Sequence, residues 1–186
     1  DLLFYYSISF LFLTQVKQIS AADVLLAEAF YPIFRSVLLM PLTALCTKIG
    51  KRKSLIIANM INALSIFSYL IAQNLVYVFI GQLLSAIAFN MKGVTETNLL
   101  YDNLPKDEKR GLRFSKIDGN GTSWYYYTDG ITAVISGFLY VWNGYLPFLL
   151  CLLCCILSTA LAFKFKETED IVQKEFSMRN YMKNLR

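Results

Sequence analysis

"LVYVFIGQLLSAIAFNMKGVTETNLLYDNLP", residues 75–105, is the stretch on which the fold turns. Its first fifteen residues carry no charge, yet Lys92 and Glu96 then follow four residues apart. As a helix, residues 75–101 reach about 40 Å at 1.5 Å per residue. That is more than the hydrocarbon core of a bilayer, about 30 Å. The stretch is therefore long and apolar enough to span a membrane. Its two mid-run charges then need a reason to be there.

The rest of the chain has the same character. Of 186 residues, 56 % are hydrophobic and only 17 % are charged, where a soluble domain runs near a quarter charged. Six apolar runs are expected to be spans: 1–14, 21–46, 54–72, 75–101, 115–142 and 145–163. The first is no signal peptide. It lacks a basic start and a small-residue cleavage site, and five more runs follow. Its fourteen residues reach only about 21 Å, so it is expected to be a truncated helix with Asp1 in its middle. The runs are too long for the alternating ten-residue strands of a barrel, so they are expected to be helices.

Charge then sets the orientation. Residues 47–53 hold four Lys/Arg, residues 102–116 hold five, and the tail from Lys164 holds six. All three segments fall on one side of a six-span layout, and the opposite connections hold Lys17 alone. Basic loops stay cytoplasmic. The net charge of +5 thus reports orientation, and no nucleic-acid partner is expected. Local signals fit the boundaries. Ser20 and Asp23 form a capping-box pattern, Asn74 suits an N-cap, Asn143-Gly144 suits a turn, and Pro147 suits a first helical turn.

Polar cargo is unevenly distributed. The third and sixth spans have no ionisable group, which places them toward lipid or behind the others. The others carry Asp1; Glu28 and Arg35; Lys92 and Glu96; Asp118 and Asp129. A charge at the bilayer centre costs at least about 2.5–3.5 kcal/mol and normally turns toward a bundle interior or a wet cavity. Helical spacing gathers these groups into stripes. Glu28, Tyr31 and Arg35 share a face. Gln82, Ser85, Phe89, Lys92, Gly93 and Glu96 share an arc. Asp118, Thr122, Tyr125, Asp129, Thr132 and Ser136 follow one line. Two readings of Lys92 and Glu96 remain open. They form a pair that neutralises itself while Lys92 snorkels, or they are part of a cavity wall for a solute or a proton.

Enzyme chemistry finds no footing. There is no His, no G-x-S-x-G and no phosphate loop. Cys46, Cys151, Cys154 and Cys155 suit packing better than a metal site, since C-x-x-C-C has no second ligand cluster. No cofactor or metal is expected.

Two motifs carry a resemblance. "TALCTKIGKRKS" (43–54) resembles the loop between the second and third spans of the major facilitator superfamily: Lys48, Gly50, Lys51, Arg52 and Lys53 match. Thr43 and Thr47 stand where that motif has Gly and Asp. "KGVTETNLLYDNLP" (92–105) resembles the end of the fourth span in many bacterial members. Gly93, Glu96, Leu99, Leu100, Tyr101, Asp102 and Leu104 match, with Lys92 in place of a small residue. "FSKIDGNGTSWYYYTDG" (114–130) is similar as well.

The resemblance implies an all-α membrane protein. It would be a six-transmembrane-helix bundle, the N-terminal half of a major-facilitator-type transporter in the bacterial inner membrane. A missing six-helix half would be the partner, and spans 1, 2, 4 and 5 would line a central cavity. It implies secondary transport of a small solute, with or without a proton. Arg35, Gln82, Lys92, Glu96, Tyr125 and Asp129 are the candidate cavity groups. Lys48, Gly50, Lys51, Arg52 and Asp102 are the candidate cytoplasmic gate, with Lys51 or Arg52 approaching Asp102. The alternative is an autonomous six-span protein acting as a homodimeric pore or carrier. Residues 164–186 are expected to form a cytoplasmic amphipathic linker, capped at Thr168, with Ile171, Met178, Met182 and Leu185 on one stripe.

Overall fold

The computed structural model describes residues 3–164, and the expected linker lies beyond them apart from Lys164. Among the described residues six helices follow one another: α1 (Tyr6–Val16), α2 (Ala21–Ile49), α3 (Lys51–Leu70), α4 (Leu75–Asn103), α5 (Arg110–Trp142) and α6 (Leu146–Ala162). No strand occurs among the described residues. By length and composition α2, α3 and α4 can each cross a membrane. α1 and α6 are apolar but shorter. α5 has 33 residues, but Arg110, Arg113, Lys116, Asp118 and Asp129 interrupt its apolar surface.

The tightest packing joins α3 to α4, and the sequence explains it. In lipid, helices associate through small residues that let backbones approach and through polar side chains that bond across the gap. α3 offers Ala58, Ser65 and Ser68, and α4 offers Gly81, Ser85, Ala86 and Ala88, all buried. The Ser65 hydroxyl lies 2.8 Å from both the Gly81 carbonyl and the Ser85 hydroxyl, and Ser68 donates to the Tyr77 carbonyl at 2.8 Å. Outward, α3 shows Met60, Leu64 and Phe67, and α6 shows Leu153, Ile156 and Leu157. Such surfaces suit hydrocarbon, not water.

α1 packs one face, with Ile8, Phe12 and Leu13, into this framework and leaves Tyr6, Leu11 and Val16 exposed. Its three turns differ: a 3-10 turn (Tyr6–Ile8), an α turn (Ser9–Leu11) and a π turn (Phe12–Val16). Phe12 is fully buried against Phe148 of α6, with ring centroids 4.3 Å apart. The helix ends at Lys17, and Gln18 turns the chain with a positive φ of 56°. The Lys17 ammonium donates to the Leu70 carbonyl in the last turn of α3 and lies over the Phe12 and Tyr145 rings, at 5.6 and 5.3 Å. A cation there completes a helix C-terminus. Lys17→Met, which keeps most of the stem, is expected to cost about 1–3 kcal/mol. An unchanged thermal unfolding midpoint in detergent contradicts that role.

Turns mostly follow the local chemistry. The Asn74 side chain accepts from the Val76 N–H at 3.1 Å, Asn143 accepts from the Tyr145 N–H at 2.9 Å, and Pro147 opens α6. Gly50 joins α2 to α3 with φ 92° and ψ 153°, a region open essentially to glycine alone. The expected capping box is not formed. The exposed Ser20 makes no side-chain cap bond, since water can serve the first N–H groups there.

Candidate solute cavity

Between α1, α2, α3 and α4 lies a cavity of about 550 Å³. α1 contributes Tyr5, just before its first turn, with Tyr6, Ser9 and Phe10. α2 contributes Glu28, Tyr31 and Pro32. Tyr69 comes from α3, and Gln82, Ser85 and Phe89 from α4. Pro32 has no N–H to offer the Glu28 carbonyl one turn back, so the α2 wall is backed by a proline beside its carboxylate. Behind the lining, hydroxyls connect into the bundle. Tyr5 Oη lies 3.5 Å from Ser85 Oγ, which is 2.8 Å from Ser65 Oγ.

A second space of about 380 Å³ opens between α2 and α4, lined among others by Arg35, Thr43, Asn90 and Thr97. Arg35 is fixed there twice. Its Nε donates to Asn90 Oδ1 at 3.3 Å, and its carbonyl accepts from Asn90 Nδ2 at 2.8 Å. Its guanidinium carbon also lies 5.9 Å from the centre of the Tyr31 ring.

The six expected cavity residues therefore separate. Gln82 lines the larger space and Arg35 the smaller. Lys92, Glu96, Tyr125 and Asp129 line neither. Lys92 is only 4 % exposed, whereas Glu96, one turn on, is exposed. Besides Glu96, the electrostatic neighbours of Lys92 are Cys151 and Cys155 on α6, so it turns toward the back of the bundle. Polar groups there are under-satisfied. Asn62 donates to Cys155 Sγ at 3.3 Å, but Asn59 Oδ1, Asn62 Oδ1 and Thr95 Oγ1 are buried without a hydrogen bond. On α5, Tyr125 is within electrostatic reach of Tyr6, Tyr31 and Asp129. The helix buries just Thr132 and Ser136 of its polar stripe, and Tyr140 bonds the Leu11 carbonyl at 3.3 Å.

The lining also holds residues that sequence reasoning did not put forward. Tyr5, Tyr31, Tyr69 and Glu28 were absent from the candidates. For Glu28 and Tyr31 the signal was available, since they share a face with Arg35. Tyr69 had no such signal, because its helix carries no ionisable group in the run 54–72.

At one end of the bundle the basic motif meets α4. Lys51 forms an ion pair with Asp102, and its Nζ lies 3.5 Å from the Asn98 carbonyl. Arg110 approaches Asp102 from α5 at 3.8 Å, and its guanidinium carbon lies 4.0 Å from the centre of the Tyr101 ring. Arg52 turns instead to α6 and donates to the Phe163 carbonyl at 2.6 Å. Lys48 is exposed at the end of α2. No group of three or more Cys, Asp or Glu among the described residues is placed to hold a metal ion.

No curated protein matches this chain. The sequence model of the Major Facilitator Superfamily matches residues 2–180. That match runs through every helix and both basic-loop and fourth-helix motifs, and the chain belongs to the Major Facilitator Superfamily.

Proposed function

We propose that this chain is the N-terminal six-helix half of a secondary active transporter that works by alternating access. Membrane transport of a small solute is the activity of the superfamily itself. The observation that carries the finer reading is the cavity of about 550 Å³ walled by α1, α2, α3 and α4. Transporters of this kind hold solute near the bilayer midplane, at the interface between two repeats that rock against each other. The ion pair of Lys51 with Asp102 supports a gate at the end where the basic residues cluster, which the positive-inside rule assigns to the cytoplasm. Gln82, with Glu28 added, then meets the solute in that cavity; Arg35 lines the smaller space beside it, and Glu96, Tyr125 and Asp129 are left for the part of the cavity that the partner half closes. A six-helix partner half completes the cavity, and the bacterial inner membrane is the proposed location.

Accessibility from the two sides tests this. In full-length protein whose native cysteines are replaced, Gln82→Cys should react with a membrane-impermeant maleimide from either face of the membrane. Labelling from one face alone, under every ligand and voltage condition tried, sinks alternating access.

A further inference from the structure

We infer that the cavity of about 550 Å³ is a binding site for an organic monocation, and that the transported solute is of that class. The inference rests on the transport reading and adds the chemistry of what is carried.

The lining is unusual in two respects. Six aromatic rings face it: Tyr5, Tyr6, Phe10, Tyr31, Tyr69 and Phe89. Its single ionisable carboxylate is Glu28, and no lysine or arginine belongs to it. Aromatic faces carry negative potential and attract ammonium groups, most strongly where water is excluded. A carboxylate among such rings adds the counter-charge. Glu28 is not spent on another residue, since no ion pair or hydrogen bond engages its side chain among the described residues. The nearest cation on its own helix, Arg35, lines the neighbouring space and is bonded to Asn90; its guanidinium carbon lies 5.9 Å from the centre of the Tyr31 ring, so Tyr5, Tyr6, Phe10, Tyr69 and Phe89 are the rings left to a solute cation. Pro32 adds to the same polarity, because it leaves the Glu28 carbonyl without its helical donor.

Other solute classes fit less well. An anion would meet Glu28 with no cation in the lining to compensate. A neutral sugar would find hydrogen bonds at Ser9, Gln82, Ser85 and the tyrosine hydroxyls but would leave the Glu28 charge without a counter-charge. The volume lies within the range of about 300–1,000 Å³ that small-molecule sites occupy.

The test is binding of radiolabelled tetraphenylphosphonium to purified full-length protein in nanodiscs, with protein-free nanodiscs subtracted for partition. Saturable binding is expected, displaced by benzyltrimethylammonium but not by benzoate, a ring of similar size and opposite charge. Glu28→Gln should weaken affinity about tenfold or more, while Tyr31→Phe, which keeps the ring, should stay within about threefold. Absence of saturable binding, equal displacement by benzoate, or a Glu28→Gln protein that binds like wild type overturns the site. If Glu28→Gln does not fold, the displacement pair on the wild-type protein decides alone. Flux in proteoliposomes separates the two readings. A cation that binds but is never carried sinks the transport reading and leaves the site. Flux of some other solute without cation binding sinks the site and leaves transport.

Discussion

Gly81→Leu should prevent α3 and α4 from docking and lower the unfolding midpoint more than any other single change proposed for this chain. A Cβ at Gly81 would lie 2.7 Å from Tyr69 Cε1 and 2.8 Å from Cζ. The ring has little freedom to retreat. Tyr69 is 3 % exposed, and Tyr5 stands against it with centroids 5.9 Å apart. The helices must then separate, and the bonds from Ser65 to Gly81 and Ser85 go with them. Overpacking alone costs about 1–3 kcal/mol. Each interhelix bond lost within a membrane adds about 0.6 kcal/mol. A branched four-carbon side chain exceeds the clash of a lone Cβ, so Gly81→Ala should fall at the low end and Gly81→Leu at or beyond the high end. The buried Cys151 and Cys155 supply the readout, through a thiol-reactive dye during heating. Tyr69→Leu should partly rescue Gly81→Ala, because it removes the ring that the new methyl meets. Equal midpoints for wild type and Gly81→Leu would show that this close approach is not what joins the two helices.

The same glycine explains why part of the cavity was not legible in the sequence. Helical spacing reports the angle at which a residue leaves its helix, but not which neighbour it meets. α3 carries no ionisable group in the run 54–72 and so belongs, by composition, behind the cavity. Its Tyr69 nevertheless belongs to the lining, because Gly81 offers no side chain to block the ring. On α4 one polar arc covers residues that divide between two sides. Gln82 and Phe89 belong to the space shared with α2, while Lys92 turns toward α6. The arc was too wide to say which residue would go where.

On α5, the stripe from Asp118 to Ser136 was correctly regular but had no partner written into it. Its buried members are Thr132 and Ser136, and Tyr125 is 39 % exposed. What could be read directly was anything set by one element or a local motif. The lengths of α2, α3 and α4 follow from apolar runs, and the Asn74 cap and Asn143 turn follow from side chains that bond their own neighbours. The meeting of Lys51 with Asp102 was implied by the resemblance of two motifs; no spacing within either motif contains it.

That contact underlies the second large effect expected, which is on conformation and not on stability. The Asp102 side chain is 42 % exposed and that of Lys51 12 %, and a pair whose carboxylate is open to solvent contributes about 0–1 kcal/mol to folding. Asp102→Asn should therefore leave the unfolding midpoint nearly unchanged. A gate is more sensitive than a fold, because a bias of about 1.4 kcal/mol between two states changes their ratio tenfold. Asp102 receives Lys51 from α3 and Arg110 from α5, so its charge ties three helix ends together at once. Losing it should shift labelling of Gln82→Cys toward the cytoplasmic face by about three- to tenfold. Raising the salt should move the wild type in the same direction, since the Debye length falls from about 8 Å at physiological strength to about 3 Å at 1 M. Asp102→Lys should shift it further, through repulsion by both cations. The double exchange K51D/D102K should recover part of the shift and not all, because Arg110 then faces a like charge. If Asp102→Asn and Asp102→Lys label as wild type does, Lys51 and Asp102 merely meet at the surface, and the gate must be sought elsewhere in the bundle.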